Sequence, residues 1–109
     1  MSSYVLTSLA KADIFHIWSY IAADNVRAAD RVEQAIFSAC ELVSESPSCG
    51  HSRHDLTSRP LLFWTIPRYP NFTLVYRPES SPIQVVAVLH GKRNMRRALR
   101  QRQQPKRPE

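Results

Sequence analysis

Apolar residues recur at steps of three and four through the first half of the chain, and then the period changes to that of strands. Leu9, Ala10, Ile14, Ile17, Trp18 and Ile21 form one buried helix face. Lys11, Asp13, His16 and Ser19 occupy mostly the other faces, and the helix stops near Ala22-Ala23-Asp24. Thr7 or Ser8 can cap its start, after a short β-compatible Tyr4-Val5-Leu6. Asp24 or Asn25 can cap a second helix, whose apolar set is Ala29, Val32, Ile36, Ala39, Cys40 and Val43. So short a connection predicts an antiparallel helical hairpin.

Ser46-Pro47-Ser48-Cys49-Gly50 ends that helix and opens a loop reaching Arg59-Pro60. Three strands follow, at residues 61–66, 72–77 and 83–89, with Pro67 and Pro78 closing the first two. The last is apolar on both parities except at Gln84, the pattern of a strand interior to its sheet. The linkers at 67–71 and 78–82 are short enough for hairpins. The predicted order is β-α-α-β-β-β, an α+β fold with an antiparallel sheet and the helical hairpin packed on one face. Met95, Ala98 and Leu99 make a thin apolar stripe for a short helix over 95–102. The expected organisation is one domain over residues 1–100, followed by a basic, disordered tail at 101–109.

Charge divides the chain at His90-Gly91. Residues 1–90 carry 7 Lys/Arg against 8 Asp/Glu, and residues 91–109 carry 8 against 1, so net −1 gives way to net +7. A charge boundary of this kind bears on partners more than on folding. It marks Gly91 as the end of the buried body and the start of a cationic arm.

A chain of 109 residues buries enough surface for a core without staples. No stretch approaches the roughly 20 apolar residues that span a bilayer. The opening Met1-Ser2-Ser3-Tyr4-Val5-Leu6 lacks the basic and apolar regions of a leader, so a cytoplasmic location is expected. Cys40 reads as a small core residue. Cys49, His51 and His54 share a polar loop, but Cys-x-His-x-x-His fits no common closed zinc pattern and supplies three ligands only, so no metal is expected.

Only Gly50 and Gly91 are glycines, which excludes a Gly-rich phosphate loop and argues against a nucleotide cofactor. Ser38 and Ser44 lie on a helix without a nucleophile elbow. Trp18 and Trp64 read as core or interface aromatics. A ribonuclease would need an acid, a base and cations for phosphorane charge. Arg68, Tyr69, Tyr76, Arg77, His90 and Arg93 are the candidates. His90 shares strand parity with Val86 and Val88, which predicts a partly buried strand-end histidine instead. Arg68 and Arg77 flank the middle hairpin and equally suit edge strands that resist pairing. Lys92, Arg93, Arg96, Arg97, Arg100 and Arg102 form the cationic cluster, suited to phosphate or carboxylate, or else a solubilising tail.

The ordered features resemble the RelE/ParE superfamily, the toxin halves of bacterial type II toxin–antitoxin modules. They are Tyr4-Val5-Leu6-Thr7 before a helix with Ile17-Trp18-Ser19-Tyr20-Ile21-Ala22, then Asp24-Asn25 and Ala28-Ala29-Asp30-Arg31-Val32. Ser46-Pro47, Arg59-Pro60, Arg68-Tyr69, residues 72–77 and Val88-Leu89-His90-Gly91-Lys92-Arg93 complete the set. Val-Leu-His-Gly followed by a basic pair is closer to the ParE branch.

The resemblance implies a non-catalytic growth inhibitor that poisons DNA gyrase, uses no cofactor and is neutralised by a ParD-like antitoxin of ribbon-helix-helix type. Lys92, Arg93, Arg96, Arg97 and Arg100 are then target contacts, and Phe15, His16 and Tyr20 antitoxin contacts. The alternatives are a RelE-like ribosome-dependent mRNA endoribonuclease using Arg68, Tyr69, Arg77, His90 and Arg93, or a non-toxic partner-binding module on the same fold. Two positions depart from the family pattern: Ala87 stands where Arg is frequent, and Val26 where Pro is frequent.

Overall fold

Thr7 decides where the first strand ends. In this computed structural model, which describes residues 4–91 and Leu99, the Thr7 hydroxyl oxygen accepts the N–H of Ala10 at 3.1 Å and caps α1 (Ser8–Ala22). The same hydroxyl donates to Val86 O at 3.3 Å, and the Thr7 N–H reaches Val85 O at 3.1 Å. One residue thus closes β1 (Tyr4–Leu6) and opens the helix. Asn25 repeats the device for α2 (Val26–Glu45), accepting the N–H of Ala28 at 3.0 Å. The Trp18 indole N–H donates to Asp30 at 2.9 Å and ties the two helices together near their turn.

A 3-10 turn, Pro47–Cys49, follows α2, and then come β2 (Leu62–Thr65), β3 (Phe72–Arg77) and β4 (Ile83–His90). The strand order is β1-β4-β3-β2, with β4 interior as its two apolar faces predict. β2–β3 and β3–β4 are antiparallel, whereas β1 runs parallel to β4, so the α+β sheet is mixed. The helical hairpin supplies the connection that a parallel neighbour requires. Ser81–Pro82, in the link between β3 and β4, is a cis peptide.

Two apolar layers lie on the two faces of this sheet. Ile14, Ile17, Val32, Ile36 and Val43 of the helices pack on Leu74, Tyr76, Val85 and Val88. On the opposite face Leu61, Phe63, Val75, Val86, Ala87, Leu89 and Leu99 form a second cluster, with Leu56 against it. Along β4 the alternation breaks once, because Val75 is opposite Ala87 while Tyr76 is opposite Val85. Val86 is the surplus residue of a β-bulge, and Val86 and Ala87 consecutively enter the second layer.

Leu99 changes the reading of the charge boundary. It is helical and fully buried, so the apolar body does not end at Gly91 but resumes eight positions later. The remainder of the expected 95–102 helix and the 101–109 tail lie outside the described residues.

The loop after α2 is held by Tyr76, itself fully buried on β3. Its hydroxyl donates to Pro47 O at 2.6 Å and accepts the Gly50 N–H at 3.0 Å. Gly50 sits so close that a Cβ there would stand 2.8 Å from that hydroxyl and 2.9 Å from Phe63 O. Burial pushes the Tyr76 phenol up to about 12, and burial does the same to the Cys40 thiol, with Glu41 adding to it.

Candidate functional site

The end of the sheet where β3 begins and β4 finishes gathers the features the sequence singled out. Local backbone bonds fold the β2–β3 turn: Ile66 N–H to Phe72 O at 3.0 Å, Tyr69 N–H to Ile66 O at 3.0 Å, and Phe72 N–H to Tyr69 O at 2.9 Å. His90 is directly opposite Phe72, and the two rings stack with centroids 4.7 Å apart. Gly91 follows at φ +70°, a conformation that favours glycine, and its N–H donates to Asn71 O at 2.6 Å. The basic segment therefore departs beside the β2–β3 turn.

A groove of about 620 Å³ opens next to that turn, between α2 and β2, an edge strand of the sheet. Ala35, Ala39 and Leu42 of α2 face Trp64, Ile66 and Tyr69 across it. Arg31, Gln34, Ser38 and Arg68 line its polar part, with Asp30, whose carboxylate already accepts the Trp18 indole. Leu42 is 43% exposed, a large apolar side chain facing open space. The arrangement is an apolar trough with two guanidinium groups along it, suited to an amphipathic segment carrying carboxylates.

Of the ribonuclease candidates among the described residues, Arg77 stands apart from the others. Arg68 and Tyr69 line the groove, and His90 lies at the same end of the sheet. Arg77 is at the other end of β3, paired with Gln84, about 17 Å away along the strand. The Arg77 Nε is buried with no hydrogen-bond partner among the described residues. Tyr76 is committed to holding the 47–50 loop.

His90 is exposed, not partly buried, and the bulge sets Val86 on the opposite face from Val88, so the parity argument fails at Val86. Arg93, like Lys92, Arg96, Arg97, Arg100 and Arg102, lies outside the described residues.

Phe15, His16 and Tyr20 are all exposed, with Phe15 and Tyr20 at 64% and 78%. Phe15 lines a cleft between α1 and α2, its ring centroid stands 6.2 Å from that of His16, and Tyr20 follows His16 by one helical turn. Trp18 and Trp64 are half-buried, as core or interface aromatics should be. His51 bonds Phe63 through its backbone, N–H to O at 2.9 Å and back at 2.8 Å, and so shields part of the outer edge of β2. Among the described residues no group of three His, Cys, Asp or Glu side chains is placed to hold a metal ion.

Sequence reasoning missed the groove itself. The signal was the width of the α2 stripe: Ala35, Ser38 and Leu42 add a further column at helical spacing beside the buried one.

Two helices folded back on a four-stranded mixed sheet, with an open groove along α2 and a basic exit beside it, define a small α+β protein of the RelE/ParE superfamily. Residues 4–95 match the family described as ParE toxin of type II toxin-antitoxin system, parDE, and the chain belongs to that family. A solved structure, described as the chromosomal ParDE TA system from P. aeruginosa, is similar in fold with a TM-score of 0.69 at 20% sequence identity. The similarity covers 84% of this chain and 98% of that one. No curated protein sequence matches the chain. No described helix is long and apolar enough to cross a membrane.

Proposed function

We propose that this protein is the toxin of a bacterial type II toxin–antitoxin module, that it inhibits DNA gyrase by binding without catalysing a reaction, and that it acts in the cytoplasm. A cognate ParD-like antitoxin silences it by laying an acidic and apolar segment along the α2–β2 groove. Membership of the ParE toxin family supports the module. The observation that carries the binding mode is the groove, whose apolar floor is flanked by Arg31 and Arg68 while Asp30 is engaged by Trp18. The separation of Arg77 from Arg68, Tyr69 and His90 favours a binding protein over a ribosome-dependent endoribonuclease.

Purified toxin incubated with gyrase and plasmid decides the target: accumulation of cleaved DNA–gyrase complexes is expected. Intact plasmid, together with cleavage of ribosome-bound mRNA, sinks the gyrase reading. For the groove, Leu42→Glu and Arg31→Glu are each expected to weaken capture of the antitoxin at least tenfold. Undiminished capture by both variants removes the groove as the docking site.

A further inference from the structure

Among the described residues, Asp30 is the one acidic side chain lining the α2–β2 groove. It shares that groove with Arg31 and Arg68 and pairs with neither, since the ion pair among the described residues is Arg53–Asp55 at 2.7 Å. Its Oδ1 instead accepts the indole N–H of Trp18 at 2.9 Å. Trp18 belongs to α1 and lines the other hollow, the cleft between α1 and α2. One hydrogen bond thus crosses from a residue of the cleft to a residue of the groove. An indole N–H can only donate and an ionised carboxylate can only accept, so each is a fitting partner for the other.

We propose that Trp18 is a positioning residue for the groove: its indole holds the Asp30 carboxylate and so keeps Arg31 and Arg68 open to the carboxylates of a partner segment. The proposal rests on the reading of the groove as the docking site of an acidic segment and names what maintains its charge. Asp30 and Gln34 are four positions apart on α2 and both line the groove, so a carboxylate released from the indole already stands on the groove's polar flank. Arginine and carboxylate make strong, charge-assisted pairs. A carboxylate tethered inside the site competes at an effective concentration on the order of millimolar, far above that of a partner chain.

Trp18 acts here through Asp30, without touching the partner. Its effect is therefore confined to charge. With Asp30 held, two exposed guanidinium groups stand free over an apolar floor. With Asp30 released, the floor is the same and the cations are shared with an internal anion. Acidic segments lose affinity in that state, and uncharged ones of the same apolar pattern do not.

The test titrates the full chain with a fluorescent amphipathic peptide of leucine and glutamate, and with a twin in which glutamine replaces every glutamate. Binding of both peptides that Leu42→Glu weakens supports the groove reading; an acidic peptide that does not bind, or that ignores Leu42→Glu, removes that reading and this proposal with it. Where the groove reading holds, Trp18→Phe should weaken the acidic peptide about fivefold at low salt and leave the uncharged twin unchanged. Adding Asp30→Asn to Trp18→Phe should recover about that fivefold, against less than about twofold for Asp30→Asn in the wild-type background. Equal effects in the two backgrounds overturn the proposal. So does a Trp18→Phe chain that binds like the wild type, its freed carboxylate having turned back to Arg27 one turn earlier on α2. A loss that falls equally on both peptides and is not recovered makes Trp18 a packing residue only. Asp30→Glu keeps Trp18 and carries the carboxylate past the indole, so it decides even where Trp18→Phe does not fold: weaker binding of the acidic peptide alone is expected, and wild-type binding overturns the proposal.

Discussion

Tyr76 shows how one buried polar atom can organise a segment. Its hydroxyl satisfies Pro47 O and the Gly50 N–H while its ring fills the space under α2. Tyr76→Phe keeps the ring and strips both bonds, so a loss of about 1–3 kcal/mol is expected in urea denaturation. The titration has a definite sign. The folded-state values of Tyr76 and Cys40 are both raised to about 12, above their ordinary 10.0 and 9.0. Their stabilising contribution is therefore complete below pH 9 and is lost as pH rises toward 12. Melting temperature should fall through that alkaline window, and Tyr76→Phe together with Cys40→Ala should flatten the fall; an unaltered slope would show that other groups cause it.

Asp13 is a second such residue. Its carboxylate accepts the N–H of Val88 at 2.9 Å, on a strand 75 positions away. Leaving that amide unpaired in Asp13→Ala should cost about 1–3 kcal/mol, against a smaller loss in Asp13→Asn, which retains an acceptor. Ala87 is where a residue-level reading of the sequence had least to offer. It faces the second core, fully buried among residues such as Phe63, Val75 and Leu99. A small side chain there is a packing requirement of this chain, and an arginine would have to bring its charge into that layer.

At the scale of elements, the helices were legible because their burial is periodic. Both caps, Thr7 and Asn25, and all six apolar positions read for α2 are used as the spacing predicts. The parallel placement of β1 was not legible, since three residues carry no signal of direction. Nor was the bulge, because β4 is apolar on both sides and its parity cannot be seen to slip. The second layer of the core depends on Leu99, which lies beyond the charge boundary. Cutting the chain after Gly91 would therefore remove charge and core together. Leu99→Asp alone, with every basic residue kept, should lower the melting temperature by several degrees; an unshifted melt would mean that Leu99 is dispensable to the second layer.

For the whole molecule, the sequence located the charge but not the concave surfaces. The net +6 resides almost entirely after residue 90, whereas both hollows belong to the nearly neutral body, where they arise from how α2 sits between its neighbours. This division predicts separable functions. Replacing Lys92, Arg93, Arg96 and Arg97 by Gln while keeping Leu99 should leave the melt and antitoxin capture intact and abolish growth inhibition. Inhibition that survives the replacement would reduce the basic segment to a solubilising role.

The bulge at Val86 has one more consequence. A regular β4 would deliver Val86 and Val88 to the same layer, and Ala87 and Leu89 to opposite assignments from those they hold. The surplus residue acts as a phase shift between two halves of one strand. Upstream, the strand is phased to suit β1 and the helices; downstream, it is phased so that His90 meets Phe72. Deleting Val86 alone would spare both phases, because Val85 and Ala87 already oppose Tyr76 and Val75; flattening the bulge with Val86 retained would rephase one half against the other and take His90 off the face it shares with Phe72.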